Sequence, residues 1–170
     1  GVYGNSGYAY TGSTPSKLKK RIEEANSSNA EITDINITEN GNYVIILGGS
    51  GYWTLGYPDA FLKKLEQYRT GDLRDDQILS ACFNDKGEWV VITDKHYSYS
   101  NETIKNFILK AEELYGEVCY AYITNYGMIA CCKNGVYYKN IPSNLAEALK
   151  KLTFKPKVIK FTDNGLYLIT

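Results

Sequence analysis

The sequence predicts a mainly β fold with peripheral helices, arranged as a closed ring of four β-β-β-α units in a single domain over residues 1–170. Three observations predict it. A short segment ending in Gly recurs four times, with 46, 40 and 38 residues between Gly41, Gly87, Gly127 and Gly165. Each copy is followed by an apolar run too short for a helix. Amphipathic stretches of helical period then separate the copies.

The recurring segments are 34–41, 80–87, 120–127 and 158–165. Each carries an apolar residue four before its Gly (Ile37, Phe83, Ile123, Phe161), followed by Thr38, Asn84, Thr124 or Thr162. A turn ending in Gly between two apolar runs is a hairpin signal, because Gly takes positive φ without steric cost. The second runs, 43–47, 89–93, 129–132 and 166–169, do not alternate, so they read as strands buried on both faces. A Tyr-rich third strand follows at 51–56, 96–100 and 135–140. Pro58 and Pro142 then stand where helices begin. Helical spacing groups Phe61, Leu65 and Tyr68; Ile104, Phe107, Ala111 and Leu114; and Leu145, Leu149 and Leu152.

Three repeats thus occupy roughly 31–70, 78–115 and 118–152. The fourth, 157–170, stops after its second strand, and residues 3–26 supply what it lacks. Residues 7–12 read as a third strand, Thr14 as a cap, and Pro15 opens a helix with Leu18, Ile22 and Ala25 on one face. Pairing of this N-terminal strand with 166–169 would clasp the ring and remove a sheet edge. The alternative is an open α+β repeat stack, which wants two polar caps.

Charge and composition exclude several functions. The 19 basic residues are balanced by 19 acidic ones, so no nucleic-acid partner is expected. The Lys-rich helices read as solvated faces, with Lys150 and Lys151 offset by Glu147. No apolar run is long enough to span a membrane. With one His, read as an exposed turn residue at 96, and no nucleophile at a recognisable spacing from it, no enzyme is expected. Cys82, Cys119, Cys131 and Cys132 form neither a CxxC nor a zinc pattern. Cys119 and Cys132 would face each other across the Gly127 turn, but buried thiols filling small apolar spaces are the favoured reading. The chain opens Gly1-Val2-Tyr3 without Met. That start fits a removed signal peptide and a secreted, periplasmic or cell-surface monomer.

Residues 32–53 (ITDINITENGNYVIILGGSGYW), followed by Gly56-Tyr57-Pro58, resemble a hemopexin-type repeat. The resemblance implies a four-bladed β-propeller-like ring with a helix at the edge of each blade. Residues 87–93 (GEWVVIT) are similar to bacterial repeats built on Gly-Gly-Trp-Val-Val-Leu-Tyr-Gly and Gly-Tyr-Trp. The hemopexin pattern also implies that Asp34, Ser80, Tyr120 and Val158 line a central tunnel, where backbone carbonyls can hold an ion. No metal site built from side chains and no other cofactor is expected.

The third strands carry the best binding lead. Tyr8, Tyr10, Tyr52, Trp53, Tyr97, Tyr99, Tyr137 and Tyr138 offer flat apolar faces with polar tips, suited to sugar stacking or protein contact. The expected function is a non-catalytic extracytoplasmic binding module for a protein or glycan partner. A structural or scaffolding protein without a small ligand is the alternative.

Overall fold

The recurring Thr or Asn closes each hairpin turn with its side chain. In the computed structural model, which describes residues 2–3, 7–8 and 12–170, the side-chain oxygens of Thr38, Asn84 and Thr162 each accept the backbone N–H four residues on. The donors are Asn42, Glu88 and Leu166, at 3.2, 3.0 and 3.1 Å. Thr124 instead accepts from Tyr126 and Gly127, at 3.3 and 2.9 Å. These are local side-chain turns of the kind Ser, Thr, Asn and Asp favour. Gly41, Gly87 and Gly165 take φ of 82°, 81° and 99°. Gly127 is needed for another reason: a Cβ there would meet the Asn140 carbonyl oxygen at 2.5 Å and the Phe161 ring at 3.0 Å.

Among the described residues the fold is mainly β with four helices. Two short strands, β1 (Val2–Tyr3) and β2 (Gly7–Tyr8), precede helix α1 (Ser16–Ser27). The first full unit is β3 (Ile32–Ile37), β4 (Tyr43–Leu47), β5 (Gly51–Leu55) and α2 (Asp59–Arg69). The second is β6 (Ile78–Phe83), β7 (Trp89–Thr93), β8 (Tyr97–Tyr99) and α3 (Glu102–Tyr115). The third is β9 (Val118–Ile123), β10 (Met128–Cys132), β11 (Gly135–Lys139) and α4 (Ser143–Lys150). The last two strands, β12 (Ile159–Phe161) and β13 (Tyr167–Ile169), form a two-stranded sheet. Each full unit is an antiparallel three-stranded sheet in sequence order, and no sheet closes into a barrel. The middle strands are buried along nearly their whole length, as continuous apolar runs require.

Each helix covers the sheet that follows it. Leu18 and Ile22 of α1 pack with Tyr43 and Ile45. Phe61, Leu65 and Tyr68 of α2 pack with Ile78, Phe83 and Trp89, and also with Val44 and Ile46 of the unit before. The α3 face is Ile104, Phe107, Ile108 and Ala111; the expected Leu114 is exposed, and its neighbour Tyr115 packs against the core instead. Pro15, Pro58 and Pro142 each precede the first helical residue, while Asn101 caps α3 by accepting from the Ile104 N–H at 3.0 Å.

The N-terminal strand departs from expectation. β2 pairs with β1, not with β13. The register Val2↔Tyr8 and Tyr3↔Gly7 repeats Ile46↔Tyr52 and Leu47↔Gly51, so β1 and β2 are equivalent to the end of a second strand and the start of a third. A partner across a short loop costs less closure entropy than one at the far end of the chain. Residues 9–11 of the expected strand lie outside the described residues. Leu166, Tyr167 and Leu168 are exposed, where the equivalent Tyr43 and Val44 are buried.

Candidate functional site

The first strands of all four units meet at one buried polar cluster. Asp34, its side chain 3% exposed, accepts from Tyr120 Oη at 2.8 Å and Lys160 Nζ at 3.1 Å through Oδ1. Its Oδ2 accepts from Asn36 Nδ2 at 2.8 Å and the Ala81 N–H at 3.3 Å. Lys160 also donates to the Ile35 carbonyl. Ser80 Oγ accepts the Ala121 N–H at 3.1 Å. Burial, and then the Asp34 carboxylate, push the Tyr120 phenol far above its ordinary range, so it stays a donor.

The structure brings Asp34 and Tyr120 into contact at this cluster and buries Ser80 beside it. Val158 is half-buried and exchanges backbone hydrogen bonds with Thr170. Lys160 takes the fourth place. Lys157 and Val158 both donate to the Thr170 carbonyl, at 2.7 and 3.1 Å, so the fourth unit carries a doubled pairing like those after Ile32 and Ile78. The cationic group in this cluster is the Lys160 ammonium, which donates to the Asp34 carboxylate and the Ile35 carbonyl. Among the described residues no group of three or more His, Cys, Asp or Glu side chains is placed to hold a metal.

Above this cluster the four turn segments surround a cavity of about 420 Å³. Its walls are the equivalent residues Ile37, Phe83, Ile123 and Phe161, with Tyr122. Its rim holds Glu39, Asn125, Asp163 and Asn164. The rim is cross-linked between units. Asp85 accepts the Asn40 N–H at 3.1 Å, and its own N–H donates to Asn125 Oδ1 at 2.9 Å. Thr124 Oγ1 donates to Asp163 at 2.5 Å, and Asn125 Nδ2 donates to Glu39 at 3.3 Å. Carboxylates and amides above apolar walls can hold a ligand by hydrogen bonds and burial. The site's signal in the sequence was the repeat itself: the residues marking the period are the ones that converge.

The third-strand aromatics are not brought together. Tyr52 donates to Glu66 of α2, and Tyr97 donates to Glu112 of α3 at 3.0 Å while accepting the Val118 N–H at 2.9 Å. Burial, followed by carboxylate contact, helps push both phenols up to about 12. Tyr137 stacks on Phe107 at 5.0 Å, and Arg21 lies over Trp53 at 5.1 Å. Tyr99 is half-buried, and Tyr138 is exposed. The Tyr8 side chain and all of Tyr10 lie outside the described residues.

Two smaller points concern His96 and the cysteines. His96 is exposed, as expected, and its Nδ1 lies 2.6 Å from Oδ2 of the buried Asp76, which also accepts from Thr93 Oγ1 at 2.7 Å. Cys132 pairs with Val118 because of the bulge, leaving Cys119 exposed and all four thiols free. Among the described residues no helix is long and apolar enough to cross a membrane. Comparison with protein-family models, curated proteins and solved structures finds no match for this chain.

Proposed function

We propose that the chain is a non-catalytic extracytoplasmic binding module, its four units closed about the Asp34–Lys160 axis, that receives a protein or glycan partner at the axial mouth. The observation carrying this reading is the convergence of four equivalent turn segments on one cavity. Closure is supported by Lys160, which joins the fourth unit to both Asp34 and Ile35 of the first. The exposed lip residues Ile37 and Leu166 offer apolar contact beside the Glu39 and Asp163 carboxylates.

The test is a glycan and peptide array probed with the wild-type chain and with Ile37→Lys and Leu166→Lys. Both positions are exposed, so the fold is expected to survive. A ligand retained by wild type and lost by both variants supports the mouth. Equal retention by all three chains overturns it. The scaffolding reading is favoured by one observation: Tyr52, Tyr97 and Tyr137 are occupied by packing and hydrogen bonding against α2 and α3. An array with no retained ligand would make it the working reading.

A further inference from the structure

We infer that the groove beside Tyr138 is a second docking surface, separate from the axial mouth, for an acidic protein segment carrying an apolar anchor. The chain has no net charge, yet residues 133–157 hold six Lys, one Glu and no Arg. All six, Lys133, Lys139, Lys150, Lys151, Lys155 and Lys157, are exposed. Between β11, α4 and the loop after it lies an open groove of about 510 Å³. Val136, Leu149 and Leu152 line it half-buried, and Tyr138 and Phe154 are 37% and 52% exposed. Lys150 and Lys155 belong to the lining, and no carboxylate does.

The groove exists because the third unit departs from the others. Tyr52 stands opposite Ile46 and Tyr97 opposite Ile92, and each hydroxyl reaches a Glu of the following helix. The equivalent residue in the third unit is Val136, opposite Cys131, which has no hydroxyl to reach α4. The α4 helix is also shorter, with 8 residues against 11 in α2 and 14 in α3. The apolar flank of the third strand is left uncovered.

The chemistry of the occupant follows. Aliphatic and aromatic walls accept an apolar side chain, and the surrounding ammonium groups accept carboxylates. A sugar polymer has no aliphatic anchor for Leu149 and Leu152. A nucleic acid backbone would meet the Lys ammonium groups but offers no aliphatic anchor for Leu149 and Leu152 either. Lys150 has only the exposed Glu147 at 3.0 Å, and Lys155 donates to the Lys133 carbonyl at 2.9 Å. Both keep donors for a ligand.

The experiment is a titration of the ¹⁵N-labelled full chain with the blocked peptide Glu-Glu-Leu-Phe-Glu-Glu, followed by backbone amide shifts. Saturable shifts at Gly135, Val136, Leu149 and Leu152 are expected. Affinity should fall about tenfold or more in a Lys150→Glu/Lys155→Glu double variant and in Phe154→Ser. It should be unchanged in Leu166→Lys, which reports on the mouth alone. Spectra of the free variants establish that they fold. Three outcomes overturn the inference: no shift at millimolar peptide, equal affinity for an all-Glu peptide, or tighter binding of an oligouronate or oligonucleotide of the same charge.

Discussion

Lys160 and Asp34 are 126 residues apart in sequence, and Nζ and Oδ1 lie 3.1 Å apart in the buried polar cluster. The carboxylate also takes hydrogen bonds from Asn36, the Ala81 N–H and Tyr120, so the pair ties together the first strands of all four units. Removing one partner of a buried pair is costly because the other keeps its desolvation penalty. Lys160→Ala is therefore expected to lose about 3 kcal/mol in urea unfolding. The Asp34→Asn/Lys160→Ala double variant should lose less than the sum of the single variants. Propylammonium chloride should restore part of the Lys160→Ala loss, and sodium chloride of equal ionic strength should not. If both salts act alike, the cluster is not a cation site.

Much of this architecture was legible in the sequence, because repetition reports the same fold several times over. The strand and helix order of all three full units follows from Gly spacing and apolar period. The proximity of Asp34, Ser80 and Tyr120 followed from repeat register. Lys160 was missed because it lies two residues beyond Val158, the position that the repeat aligns with Asp34. Asp76 and His96 were also hidden. They are 20 residues apart on either side of a hairpin, and only tertiary contact sets their 2.6 Å approach. The aromatics misled for a simple reason: an amphipathic ring serves packing and binding with the same chemistry.

Gly127 and Gly87 align in the sequence repeat, but the third turn is one residue shorter, and the two should respond differently to Ala. At Gly87 the φ of 81° is the whole difficulty, since an added Cβ meets nothing within 4 Å. A cost of about 1 kcal/mol is expected there. At Gly127 the Cβ would strike the Asn140 carbonyl oxygen at 2.5 Å and Phe161 at 3.0 Å, forcing backbone and core to move. A loss of about 3 kcal/mol is expected. Denaturant midpoints of the two variants check the order, and equal losses would contradict the close approach.

The thiols should divide by burial. Cys119 is exposed, whereas Cys82, Cys131 and Cys132 are buried. Burial pushes Cys82 and Cys131 up to about 12 and Cys132 to about 11. The reactive species is the thiolate, and these three are both protonated and inaccessible at pH 8. Ellman's reagent should titrate one thiol in the native chain and all four in denaturant. Rapid labelling of a second native thiol would place one of the three nearer solvent.

Asp76 should make the acid limb of stability steeper. Burial alone would raise its carboxyl, but hydrogen bonds from His96 and then Thr93 outweigh burial and hold it below the ordinary carboxylate value. A carboxyl depressed in the folded state contributes stability that is complete above its unfolded value, about 4, and is lost as pH falls through the folded value. Asp76→Asn should therefore be less stable than wild type at neutral pH. The gap should close as pH drops below about 4, because the wild-type carboxyl then binds a proton and loses its advantage. Thermal midpoints of the two chains from pH 7 down to pH 3 give the comparison. A gap that stays constant over that range would show that the Asp76 charge contributes nothing and that only its hydrogen-bonding shape matters.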